Sequence, residues 1–589
     1  MPIGVADIPF VGGSYEAPMT LQDAQRLINW YVEVSQDENS KKPRALLGCP
    51  GLRPVVEGIS GQVRGCWTLP GGSQALVVIA ANVYLMTITV PATQTAIAQF
   101  ALALVGSLLT ATGPVIIRDN GPLTLGFGGY AVLVDGLYMY YYRLLGAGTY
   151  VFTGGVSIGS TTISLPGTLP AGLLASPGAT LTDSAGFIQG GTYLASIDFN
   201  TPALTMTLPA TNTNAADTIT LNIAAFGRLT DPGIPPYPSR LAFIEGWLLV
   251  NNVGSRQFQT NGPTPYTIMW PASFYALKDS SSDNLVTLFE NNREAWLIGE
   301  RTSEVWVNQG GQNFAFARLP GVGPQMGCAA QHSVTRVGAQ LIWLGRNEQG
   351  ENIVVLQEGY GWNRVSSHGV EHAISGYPVV SDAVGFAYEE EGHLFYILVF
   401  PTADTTWCLD ITTLKAAGPG LAWHQRASWD SAAGVYHRFR GNCFMNFADL
   451  RLVGDYSSGQ VHQMSRAIYT DADRVLRCAR RTPHVWNIDK RTRLFFSQVQ
   501  VEFTPGVGLQ FGQGTNPQAM MRWSDDGGFT WSSEHWMSIG LVGITKNRAI
   551  WRLLGTARDR VWELCFSDPT ARDVIGATMF AEAEEDFAA

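Results

Sequence analysis

The feature that most restricts the fold of this chain is a repeated three-strand meander, clearest in residues 285–308. It reads LVTLFE, a turn at NNRE, AWLIGE, a turn at RTS, and EVWVN. Each run is rich in β-branched and aromatic side chains and is bounded by Asn, Gly or Ser, the signature of antiparallel strands. A lone meander of this size cannot bury both faces, so it needs neighbours.

Similar stretches begin near Arg64, Pro114, Ser239, Leu285, Ser333, Asp382 and Val435, and five of the six intervals fall between 46 and 53 residues. That spacing is the length of a propeller blade, roughly 40 to 50 residues. The remaining interval is longer by about 75 residues. The excess fits residues 151–226, dominated by Thr, Ala, Gly, Ser and Pro, with Asp183, Asp198 and Asp217 as their only charges. This segment is expected to be a small β-domain inserted between two blades, because closing a longer loop costs little.

The expected fold is all-β: a β-propeller-like body of about six to seven blades, an inserted small β-domain and a C-terminal β-sandwich. The expected divisions are an N-terminal arm at 1–60, blades at 61–150 and 227–483, the insert at 151–226, the C-terminal β-domain at 484–580 and an acidic tail at 581–589. The arm should add a strand to the first blade, with Pro50 and Gly51 as a turn. The tail, AEAEEDFAA, should be frayed.

The charged fraction is 15% and there are 17 Trp, so the chain can bury a large core and is not a disordered one. Seven scattered cysteines, Cys49, Cys66, Cys328, Cys408, Cys443, Cys478 and Cys565, form no CxxC pair. They read as buried reduced thiols of a protein made in a cytoplasm. The N-terminus has no basic region followed by an apolar run, so no secretory signal is expected. No charge lies between Arg64 and Arg118, and residues 96–112 are strongly apolar. Pro91, Gly106, Gly113 and Pro114 break that stretch, so buried strands are expected instead of a membrane span.

Particular motifs add a family resemblance. Ala24, Gln25, Arg26, Asn29, Tyr31 and Glu33 are followed by Leu47, Pro50, Gly51 and Leu52, and then by Val63, Arg64 and Gly65. Further along stand Arg118-Asp119-Asn120-Gly121, VLVDG at 132–136, EVW at 304–306, SHGVEHAISGY at 367–377 and WSDDGGFTW at 523–531. In this order they resemble the phage packaged-DNA stabilisation family, the tail hub or nozzle of short-tailed bacteriophages. Residues 151–226 depart from that pattern.

The resemblance implies a virion structural protein, made in the host cytoplasm and resident in the phage tail. It implies a homo-hexameric ring below the portal and adaptor, completing the head, extending the DNA channel, retaining packaged DNA until ejection and carrying a needle or fibres. The implied partners are other copies of the chain, a tail adaptor protein, the portal indirectly, needle or fibre proteins, and packaged dsDNA in transient contact, with no membrane span. A receptor-binding tail protein is the nearer alternative reading. A carbohydrate-active propeller enzyme is the more distant one.

Three features bear on catalysis. His368-Gly-Val-Glu371-His372 matches a metallopeptidase spacing in which both imidazoles need one helical face. Gly369 inside it, and Gly376 and Pro378 after it, instead suggest a short helix linking two blades, with Val370, Ala373 and Ile374 inward. Ser524, Asp526, Gly528 and Trp531 have the spacing of an Asp box, a tight hairpin whose carboxylate bonds turn amides. Glu389, Glu390 and Glu391 before His393 read as a solvated hairpin tip. These readings give no catalytic residue, no metal ligand and no cofactor, and the chain is expected not to be an enzyme.

The net charge of −10 does not suit a tight nucleic-acid binder. Yet residues 466–493 carry Arg466, Arg474, Arg477, Arg480, Arg481, Lys490, Arg491 and Arg493 against Asp471, Asp473 and Asp489, eight basic groups to three acidic, a local +5. This stretch is a candidate contact for DNA phosphates or for an acidic neighbouring subunit.

Overall fold

A computed structural model describes residues 4–583 except 38, 41, 92–97, 123–128, 167–178, 199–202, 264, 312–313 and 488–491. Seven sheets follow one another as blades. Blade 1 runs Val63–Thr68, Gln74–Ile79, Asn82–Val90 and Gln99–Ser107. Blades 2 to 6 begin at Ile116–Asp119, Pro238–Ile244, Leu285–Asn291, Thr335–Val337 with Gly327–Cys328, and Val384–Glu390. Blade 7 begins at Gly441–Phe447, which lies against Val63–Thr68 and closes the ring. The repeat starts therefore fall close to the first strands, except that Val435 belongs to a separate hairpin of Ala427–Asp430 with Val435–Arg438.

The ends of the chain differ from expectation. Gly51–Val56 supplies the fourth strand of blade 7 by pairing with Val461–Ser465, so the N-terminal segment completes the last blade and not the first. The ring is thus closed by strand pairing between distant segments. Residues 4–48 are not an arm at all, since their strands are built into both sheets of the sandwich. Trp30–Val34 and Arg44–Gly48 join Val574–Ala583, Leu494–Phe503 and Ala549–Arg552 in one sheet. Ala24–Ile28 joins Cys478–Arg481, Asp559–Phe566, Gln518–Ser524 and His535–Ser538 in the other. The last strand continues to Ala583, so part of the expected tail is paired, and residues 584–589 lie outside the described residues.

Asn29 makes that arrangement possible. It sits at φ 55, in the left-handed region that Asn tolerates, between a strand of one sheet and a strand of the other. Its amide nitrogen donates to the carbonyls of Ala427 and Arg477 at 2.8 Å each, and its oxygen accepts from the Ala427 amide at 3.0 Å. Trp30 then falls into the core between the sheets with Leu27, Leu46, Phe496, Val501, Trp562 and Phe566.

The insert lies within blade 2, not between blades. Its strands run from Gly148–Val156 to Asn214–Ile223, and Phe226–Arg228 then returns as the fourth strand of that blade. Thr-apolar alternation becomes alternating burial along Asn214–Ile223, with Ile219, Leu221 and Ile223 inward. The uncharged run after Arg64 also splits by position. Gln74–Ile79 is buried, whereas Gln99–Ser107 is the outer strand and is mostly exposed. Among the described residues, no helix is long and apolar enough to cross a membrane.

Candidate functional site

The basic stretch lies where the sandwich meets blade 6, joined by a parallel pairing of Ile28 with Gln425. Of its six described basic residues, four are engaged inside the fold, three of them with carboxylates. Arg480 is fully buried and donates to the carbonyls of Phe10 at 2.7 Å and Gly13 at 2.7 Å and to the Gln25 side chain at 2.7 Å. It locks the N-terminal segment and offers nothing to a ligand. Arg466 pairs with Glu391 and with Asp573 at 3.2 Å. Arg477 meets Glu534 at 2.7 Å and lies over the Trp429 ring at 4.7 Å. Only Arg474 and Arg493 of the described candidates are exposed, and Lys490 and Arg491 lie outside the described residues.

Arg481 and Arg522 share Glu563, each reaching it with Nε at 2.6 Å. Burial opposes the charge on Glu563, but the two guanidiniums dominate and hold its carboxyl below the usual range. Both guanidiniums also lie 4.9 Å from the Trp531 ring. The hairpin before Trp531 places it there. Asp526 accepts from the amides of Phe529 at 3.0 Å and Thr530 at 2.9 Å and from the Thr530 hydroxyl at 2.6 Å. Ser524 Oγ accepts from the Gly528 amide at 2.8 Å, and Gly527 and Gly528 take φ of 75 and 101. These bonds to Ser524, Thr530 and the turn amides keep the Asp526 carboxyl well below its ordinary value.

Between these groups and the hairpin bearing Trp429 is a cavity of about 330 Å³ lined by Arg26, Arg477, Arg481, Arg522, Glu534 and Glu563. Sequence reasoning missed Arg26, Arg522, Glu534 and Glu563. Their separation along the chain gives no local signal, and strand pairing alone brings them together. The acidic hairpin tip is solvated at Glu389 and Glu391 but not at Glu390. Glu390 is buried and bonds Arg451 at 2.9 Å, while His393 sits between Asp410 at 2.7 Å and Glu33 at 2.5 Å. Around the metallopeptidase-like spacing, Ser367 caps the helix His368–Ser375, and Glu371 is engaged by Arg364 and the Ser366 hydroxyl. Among the described residues, no three potential metal-ligating side chains converge.

The described residues form a closed bladed ring fused to a sandwich. Two family profiles described as bacteriophage P22 Gp10 match in the same order as the fold: the β-propeller over residues 268–469 and the β-sandwich over residues 478–582. The chain belongs to this family, and is a phage tail structural protein and a component of the virion. No curated protein matches it in sequence. Similar solved structures include the N-terminal domain of Nup159 (8% identity, 74% of this chain and 98% of that one, TM-score 0.33). Others are Kluyveromyces lactis Hsv2 (8%, 64% and 97%, 0.23) and human WBSCR16 (8%, 69% and 87%, 0.28). At these scores the likenesses carry no argument.

Proposed function

We propose that this protein is the tail nozzle. It forms a ring, six-fold by family resemblance, below the portal and adaptor, extends the DNA channel, retains packaged DNA and carries a needle or fibres. The observation that carries this reading is the match of both domains, in order, to one phage tail family. Surface character supports self-assembly. The loop at 504–517 packs on the loop at 540–548, with the Gly543 amide 3.3 Å from the Gly506 carbonyl. Together they expose Phe511 (85%), Leu541, Val542 and Ile544. Apolar exposure of this kind marks an interface. The role is passive, since the motifs that invited catalysis are engaged in folding contacts. DNA slides along an acidic protein more freely than along a basic one.

Virions made without this chain should package DNA and then lose it, while portal and adaptor remain assembled. DNA retention by such particles, or a monomeric mass for the chain in isolated tails, would overturn the nozzle reading. Hydrolysis of a bacterial surface glycan by the purified chain would favour the enzyme alternative.

A further inference from the structure

The first strands of the blades enclose a hub cavity of about 200 Å³. Arg64, Arg118, Arg240 and His332 all line it, so three arginines border one small volume. Arg64 is compensated: it bonds the carbonyls of Gly113, Ala80, Thr110 and Thr112, and the Thr110 hydroxyl passes its contact on to Asp135 at 2.7 Å. Among the described residues, Arg118 and Arg240 have one ion-pair partner between them, Glu290, whose Oε1 lies 3.4 Å from Arg118 Nε. This leaves one positive charge in excess.

Arg240 is 6% exposed and His332 8% exposed. Arg240 gives Nη2 to the Val334 carbonyl at 3.1 Å, and Arg118 gives Nη1 to the Ile117 carbonyl at 3.0 Å. Nε of Arg240 and Nδ1 of His332 are buried without a hydrogen-bond partner in the protein, whereas Nε of Arg118 is the atom that faces Glu290. Burial, then the like charge of Arg118, push Arg240 down to about 10, and burial holds His332 at about 3, so its imidazole is neutral at neutral pH. Waters could satisfy the donors of such a cavity, but not the charge.

We propose that the hub of the ring binds a small monovalent inorganic anion, of which chloride is the type, at the unpartnered Nε–H of Arg240 and beside the Arg118 guanidinium. The anion ties blade 2 to blade 3 at the hub, where no strand pairing does, and by binding only the closed ring it stabilises that ring.

The test uses the full chain. Crystals grown in sodium bromide should show an anomalous bromine peak in the hub beside Arg240 Nε. In solution, the melting temperature should rise with chloride replacing gluconate at fixed sodium and ionic strength, and that dependence should vanish in Arg240→Gln. Should Arg240→Gln fail to fold, Arg118→Gln serves the same purpose. A hub holding water and no bromine, or an unchanged chloride dependence in the folded variant, overturns the proposal. An equal effect from sulfate overturns the monovalent assignment.

Discussion

The insert and the sandwich are both β-structures of modest size, yet they are built in opposite ways. Every buried side chain in the insert's own core lies between Val156 and Ile223, a continuous segment. The sandwich core takes Trp30 and Leu46 from one end of the chain and Phe496, Trp562 and Met579 from the other. A continuous domain can be read as a change of composition and can be removed as a piece. A discontinuous one ties the chain ends together, and through Gly51–Val56 the same tie closes the propeller ring. Loss of the N-terminal segment should therefore damage two domains at once.

The largest effect is expected from deleting residues 1–56, which should abolish the folded chain, seen as loss of soluble protein and of a cooperative melt. A single side chain carries much of that dependence. Trp30→Ala removes a fully buried indole whose Nε1 donates to the Arg572 carbonyl at 2.9 Å. It should cost about 3–5 kcal/mol in urea unfolding, while a soluble chain that melts like wild type would refute the shared core. Arg480→Ala comes next, at about 1–3 kcal/mol, because it strands the carbonyls of Phe10 and Gly13. An Arg480 that reached DNA instead would leave stability intact and change salt-dependent binding.

His393 sharpens the comparison through pH, because it joins Glu33 of the N-terminal segment to Asp410 of blade 6. Burial disfavours its charge, but Asp410 and Glu33 outweigh burial and raise its pKa. The stabilisation is then fully present below the ordinary imidazole value and is lost as pH rises through the raised one. His393→Gln should lower the urea midpoint more at about pH 6 than at about pH 9, and an equal loss at both would remove the charged-histidine account.

Asp526→Ala tests a purely local feature of the sandwich. Its turn is exposed, so water takes over the Phe529 and Thr530 amides and the melting temperature should fall only slightly. Gly528→Val should do more harm, since its φ of 101 strains a β-branched residue.

The smallest effect belongs to the insert. Joining Ala147 to Ala224 removes residues 148–223 at paired ends, Gly148 opposite Ile223, and should leave the melt of the remaining domains unchanged. A deletion that also takes Phe226 should be worse, because this ring stacks on Tyr140 at 5.8 Å and fills the space beside Gly106. Calorimetry of the two deletions distinguishes an insertion within blade 2 from one between blades.

The blades were legible because, apart from the interrupted blade 2 and the borrowed fourth strand of blade 7, they are continuous meanders, and Leu285–Asn291 begins where its pattern begins. The Asp-box hairpin was legible for the same reason, all its bonds lying between residues 524 and 531. The basic site was not. Arg477 and Glu534, or Arg481 and Glu563, are paired by strands far apart in sequence, so a local +5 gave no sign that its charge was internally matched.

By itself the sequence determined the all-β class, the blade period, the compositional island of the insert and the family. Those properties depend on residue type and near-neighbour order, which strand propensity and turn chemistry translate directly. Only the tertiary structure decided that the N-terminal segment closes blade 7 and enters both sheets of the sandwich, that the insert interrupts blade 2, and that Glu390, His393 and Arg480 are interior. Those outcomes depend on which distant strands pair. An exposed strand edge and an unfilled apolar face are satisfied by whatever segment the completed fold brings alongside.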